Sequence, residues 1–308
     1  MPKRAPLMLR LLGSAAQAWW DDDAPRLGAS LAYYTLFAIA PILLVATAVA
    51  GMFFGTEAVR GEIVGQLDQL LGREGALAVQ SLLEGASQRR AGILATVIGS
   101  IAFVAAATGA FLELQVALNM IWRVKLNPRA KLTAFLMDRL RSFGLVVAIG
   151  FLLLVSLTVT AALAALTAWL SRLSPGLPVL WKGVSMLVTL VVTTGLFALL
   201  FRFLPDVRLR WRDVTTGAFV TAVLFTIGQQ VIGLYLGQSS MASSYGAAGS
   251  MMILLLWVYY SCQILLYGAE FTRVYAVRHG ARPAPEPFAV KDPDAALVGK
   301  AVAKSSGN

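Results

Sequence analysis

Charge is what this chain lacks over long distances. From Val214 to Ala269 it runs 56 residues without a Lys, Arg, Asp or Glu. Uncharged runs also cover 28–54, 91–112, 142–171 and 183–201. Such runs leave a soluble domain nothing to turn toward water, whereas a membrane-spanning helix needs about 20 apolar residues. Cysteine is as scarce: Cys262 stands alone, which excludes an intrachain disulfide and a cysteine-based zinc site. His279 is the single histidine, so a His-rich metal site is excluded too. There is no Gly-rich phosphate loop ending in Gly-Lys-Ser/Thr, no His-Glu-x-x-His, no Cys-x-x-Cys and no Gly-x-Ser-x-Gly. No cofactor or metal is implied and no catalytic residue stands out, so the chain is not expected to be an enzyme. A nuclease would need water-exposed carboxylates to hold two metal ions. The basic loops offer only Asp138, Asp206 and Asp213, far apart in sequence.

What is present fits a membrane. Of 308 residues 58% are apolar and 14% charged, with a mean hydropathy of +0.72. The net charge of +10 reads as basic residues flanking spans rather than as a nucleic-acid surface. The expected fold is all-α, with six spans at about 28–54, 91–112, 142–171, 183–201, 214–236 and 249–269. Before them, residues 1–27 form an amphipathic helix and a turn. Met8, Leu11, Leu12, Ala15 and Trp19 share one helical face, and Trp19 and Trp20 suit the headgroup level. A signal-peptide reading of this segment is weakened by Arg10 inside the apolar stretch. Asp21 to Pro25 reads as a turn into the first span, which Pro41 should kink.

Residues 55–90 carry Val59, Ile63, Leu67 and Leu70 at helical spacing and read as an outer helical hairpin. The helix of the second span should continue through Glu113, Gln115, Asn119 and Trp122 to Val124, with Asn127-Pro128 ending it. Residues 274–308, with Pro283, Pro285, Pro287 and Pro293, read as a disordered tail. Basic residues divide 20 to 6 between the two sides of this arrangement, which places both termini in the cytoplasm. The uncharged turn inside the 214–269 run then faces outward, and Glu270 lies at the cytoplasmic edge.

On the sixth span Tyr260, Gln263, Tyr267 and Glu270 fall within about 80° of one another at ~100° per residue. Lipid supplies no partners for their polar atoms. They either line a path or hydrogen-bond between helices and anchor the interface. A mid-bilayer carboxylate costs about 2.5–3.5 kcal/mol on insertion scales, so Glu270 should sit shallow or pair, with Arg273 as local partner. The fifth span adds Gln229, Gln230 and the close-packing pattern Gly233 to Gly237, and the first adds Tyr33 and Tyr34. Glu113, at the end of a 22-residue uncharged run, with Gln115 and Asn119 beyond it, is a second polar candidate.

Several ordered motifs carry a family resemblance. They are Leu31-Ala-Tyr-Tyr-Thr-Leu-Phe-Ala-Ile-Ala-Pro41, Leu118-Asn-Met-Ile-Trp-Arg-Val124, and Arg202-Phe-Leu-Pro205 with Gly217-Ala218. Further along come Tyr245-Gly-Ala-Ala-Gly-Ser250, Leu256-Trp-Val-Tyr-Tyr260 and Gly268-Ala-Glu-Phe271. Over roughly residues 10–280 the chain resembles the YihY/BrkB family of bacterial inner-membrane proteins. That resemblance implies six spans with both termini inside and brings no agreed catalytic residues. Some members carry the label ribonuclease BN, which belongs to an unrelated soluble enzyme; ribonuclease activity is not expected here. The function expected is transport or translocation of an envelope lipid or other amphiphile, with membrane lipids as partners and basic cytoplasmic edges suited to anionic headgroups. The competing expectation is a structural or scaffolding role with envelope protein partners. No nucleic acid is expected as a partner.

Overall fold

A computed structural model describes residues 7–55, scattered positions between 61 and 81, and residues 108–127, 178–238, 247–280 and 283–292. The described chain is mostly helical. Helix α1 covers Leu7–Asp21 and α2 covers Ala24–Phe54. Helix α3 covers Thr108–Ile121. Strand β1 is Val124–Leu126, α4 is Pro178–Phe203 and β2 is Val207–Arg208. Then come α5 (Trp211–Gln238), α6 (Ala247–Arg278), β3 (Ala284–Pro285) and β4 (Ala289–Lys291). Three helices are long and apolar enough to cross a membrane, over Met186–Phe203, Trp211–Gly233 and Met251–Arg278. These cover the stretches read as spans four, five and six. The stretch read as span one is helical throughout α2, with helix on both sides of Pro41. Span three, residues 91–107 of span two, the turn at 239–246 and the periodic positions Val59, Ile63, Leu67 and Leu70 lie outside the described residues.

Local chemistry accounts for the helix ends. Asp23 takes a left-handed backbone (φ 55°), which aspartate tolerates better than most residues, and Pro25 then sits in the first turn of α2. Gly55 (φ 86°) follows α2 and Gly280 (φ 76°) follows α6, where glycine takes the left-handed conformation at no steric cost. Helix α3 stops at Ile121 rather than Val124, because Arg123 turns left-handed (φ 57°) and Val124 enters a strand.

The all-α expectation needs a second correction in the tail. Helix α6 continues to Arg278 and residues 284–291 supply two strands, while residues 293–308 of the expected disordered tail lie outside the described residues. Strand β4 pairs antiparallel with β1 and β3 pairs antiparallel with β2. The prolines that suggested disorder are compatible with strands this short and two-stranded, where one edge needs no ladder donor.

The chain divides into two compact units. The first comprises Met1–Asp23, Gln115–Val223 and Leu266–Asn308; the second comprises Ala24–Leu114 and Leu224–Leu265. In the first, Leu11 and Ala15 of α1 are fully buried against Phe271, with Leu12, Val220, Tyr267, Val274 and Tyr275 around them. Part of the face expected to meet lipid therefore meets protein, while Met8 of that face is exposed. In the second unit the core is Leu31, Ala32, Val79, Leu254, Val258 and Cys262. The described positions between 61 and 81 are helical there, with Ala76 and Val79 buried and Leu77 exposed.

Within the first unit α5 and α6 meet through a reciprocal pair of small residues. A Cβ added at Gly217 would overlap Thr272, and one at Gly268 would overlap Thr221. Each threonine hydroxyl donates to the glycine carbonyl four residues back on its own helix, Thr221 to Gly217 (2.8 Å) and Thr272 to Gly268 (2.7 Å). The hydroxyls are thus satisfied without water while they occupy the space the opposite glycine leaves. In the second unit Gly228 plays a similar part, with a Cβ there 2.6 Å from Ile264 and 3.0 Å from Tyr260. Of the Gly233–Gly237 pattern expected to allow close contact, Gly233 has no described residue within 4 Å of where a Cβ would stand.

Candidate functional site

The first unit holds a neutral network of four charged side chains. Asp22, just past α1, accepts from Arg123 at 2.6 Å on one carboxylate oxygen and from Arg273 at 3.3 Å on the other. Arg273 also reaches Glu270 Oε2 with two nitrogens, at 2.7 and 3.0 Å. Glu270 is fully buried, and because both donors converge on Oε2, its Oε1 is buried without a hydrogen-bond partner. A buried carboxylate is tolerated only when its counter-charge comes with it. Here the (i, i+3) spacing on α6 delivers one arginine, and the turn after α3 delivers the second through Asp22. Arg123 makes this contact from a left-handed backbone, a conformation that costs an arginine about 1–3 kcal/mol and persists where surrounding contacts over-determine it.

A second network lies in the same unit. Gln115 donates to Asp206 Oδ1 (3.1 Å) and Asn119 to Asp206 Oδ2 (2.7 Å), while the Asp206 backbone N–H donates to Asn119 Oδ1 (2.8 Å). The i, i+4 spacing of Gln115 and Asn119 places both on one face of α3, and the loop after α4 supplies the carboxylate. The tail fastens this region. Glu286 N–H donates to Asp206 O and Asn127 N–H to Phe288 O, both at 2.9 Å, and Asp292 N–H donates to Arg123 O at 2.9 Å. Ion pairs Lys125–Asp292 (2.8 Å) and Arg208–Glu286 (3.3 Å) flank the strands.

The structure brings together some of the residues singled out in the sequence and separates others. Glu270 and Arg273 pair as expected. Gln115 and Asn119 converge on Asp206, whereas Glu113 belongs to the second unit and accepts from Ser30 Oγ at 2.5 Å. Gln263 donates to Pro25 O (3.3 Å) and lies so close to Gly28 that a Cβ there would overlap it. Its Oε1 is buried without a partner. Tyr267 donates to Leu12 O (3.0 Å). Tyr260 lies against Gly228. Tyr33 and Tyr34 are exposed and, with Phe37, form an edge-to-face aromatic group with centroids 4.9–5.8 Å apart. Gln229 is half-buried and Gln230 exposed. Asp22 and Arg123 are the members that sequence reasoning missed, because Asp22 reads as one of three aspartates in a turn. Asp206 was noted only as an isolated acid, although it directly follows the Arg202-to-Pro205 motif.

Chemically, this arrangement holds charge inside apolar surroundings by pairing it with opposite charge. Among the described residues no group of three or more His, Cys, Asp or Glu side chains gathers to bind one.

Comparison with known proteins gives the family. A family model described as virulence factor BrkB matches residues 15–292. A UPF0761 membrane protein of Ralstonia nicotianae is 30% identical over 252 residues, covering 81% of this chain and 55% of that one. UPF0761 membrane proteins of Paraburkholderia xenovorans and Rhodospirillum centenum are 26% and 27% identical, covering 84% and 88% of this chain and 58% and 59% of theirs. The chain thus spans a little over half the length of these curated relatives. No solved structure matches it. With a family match over nearly its whole length and three helices able to cross a bilayer, the chain is a membrane protein of the virulence factor BrkB family.

Proposed function

We propose that this protein is a six-span inner-membrane protein, with both termini cytoplasmic, that moves an envelope lipid or other amphiphile across the bilayer. The observation that carries the reading is the buried Glu270–Arg273 pair on the span-capable helix α6, which Asp22 and Arg123 extend from the adjoining turns. Ionisable groups within a spanning helix are expensive and mark candidate substrate or ion pathways. Glu270 Oε1, buried and unpaired, leaves an acceptor for a donor that arrives during transport. The exposed Tyr33, Tyr34 and Gln230 offer amphipathic surface for acyl chains and headgroups. The basic side of the arrangement suits anionic headgroups.

A scaffolding role is the second reading, and one observation favours it. Gln263 and Tyr267, two of the stripe residues, use their donors on the carbonyls of Pro25 and Leu12, as packing residues would. Reconstitution into liposomes distinguishes the two. Transport predicts movement of at least one labelled envelope lipid above protein-free vesicles, reduced by Glu270→Gln in protein that remains folded. No movement of any lipid across a broad panel would remove the transport reading and leave the scaffold.

A further inference from the structure

We propose that the α4–α5 junction binds the phosphate of an anionic phospholipid at the membrane surface. Two span-capable helices, ending at Phe203 and starting at Trp211, are joined here by a short loop, so both helix ends lie at one bilayer face. Phe203 and Trp211 are half exposed and meet edge to face at 5.9 Å. A tryptophan ring settles at the headgroup level of a bilayer. The Arg202 guanidinium lies over both, 6.0 Å from the Phe203 ring and 5.9 Å from the Trp211 ring, with its Nε buried and without a hydrogen-bond partner. Arg210 and Arg212 are exposed beside them.

The acids nearby do not neutralise this group. Asp206 is held by Gln115 and Asn119, Glu286 pairs with Arg208, and Asp213 is buried in the first turn of α5. Among the described residues, Arg202, Arg210 and Arg212 have no ion-pair partner. Three arginines and two aromatic rings at one interface fit a lipid phosphate with its acyl chains against Phe203 and Trp211.

This proposal rests on the membrane reading of α4 and α5, and not on lipid movement. Native mass spectrometry of the full chain, titrated with phosphatidylglycerol, phosphatidylcholine or inorganic phosphate, tests it. Phosphatidylglycerol should bind in preference to phosphatidylcholine. Arg210→Gln with Arg212→Gln should weaken it about thirtyfold, at about 1 kcal/mol per arginine near an anionic surface. Arg278→Gln with Lys291→Gln, an equal charge loss on exposed residues elsewhere, should leave it unchanged. Equal binding by wild type and the double variant overturns the site. Displacement of the lipid by millimolar inorganic phosphate overturns the lipid assignment in favour of a free-anion site. Lipid movement measured on the same preparations reads the transport proposal separately.

Discussion

The two units of this molecule hold themselves together by different means. The first is fastened by charge, by side-chain amides and by a strap of tail residues: Asp22, Arg123, Arg273 and Glu270 in one network, Gln115, Asn119 and Asp206 in another, with β3 and β4 paired to β2 and β1. The second is held by Leu31, Ala32, Val79, Leu254, Val258 and Cys262, with Ser30–Glu113 and Gln263–Pro25 as its polar contacts on the residues of interest. Helix α6 serves both, with Ala247–Leu265 in the apolar unit and Leu266–Arg278 in the charged one. Inside a bilayer the apolar unit gains little from hiding side chains from water, since lipid is as apolar as leucine, and depends on close packing. The charged unit gains directional contacts but carries groups that become liabilities once a partner is lost.

That contrast orders the expected effects of mutation. Arg273→Leu should be the most damaging. It leaves Glu270 buried with no counter-charge, a loss of about 3–5 kcal/mol, visible as a collapse of the thermal midpoint in detergent. If the midpoint were unchanged, the network would not be holding the first unit. Gly217→Val and Gly268→Val should follow, each at about 1–3 kcal/mol from overpacking. Thr272 should be the clashing partner of the first and Thr221 of the second, so Gly217→Val with Thr272→Ala should recover part of the loss in the same assay. Leu254→Ala in the second unit should cost about 1–2 kcal/mol, less than in a water-soluble core. The cavity term remains, but transfer to lipid contributes little. A loss as large as that of Arg273→Leu would contradict the contrast. Smallest should be Asp292→Asn, which removes the partly exposed pair with Lys125 for about 0–1 kcal/mol. Limited proteolysis of the tail should report it better than a melting curve.

The features legible from sequence were those that repeat along one element. Uncharged runs located α4, α5 and α6, and Glu270 and Arg273 sit one helical turn apart, so their pairing followed from spacing. The two networks were harder because each joins elements distant in the chain. Asp22 and Arg123 are separated by 101 positions and Gln115 and Asp206 by 91, and nothing in local composition couples them. Close glycine contacts are hard to read for the same reason: Gly233 fits the small-residue pattern as well as Gly217 does, and only the facing helix decides which glycine is covered.

By itself, then, the sequence determined that the chain belongs in a membrane and where three of its apolar helices run, because length and absence of charge are properties of consecutive residues. The tertiary structure alone decided which charges are partners, that residues 284–291 pair as strands, and that the arginines at the α4–α5 junction have no ion-pair partner among the described residues. These depend on which surfaces meet, and a buried charge survives only where a distant element brings it a counter-charge.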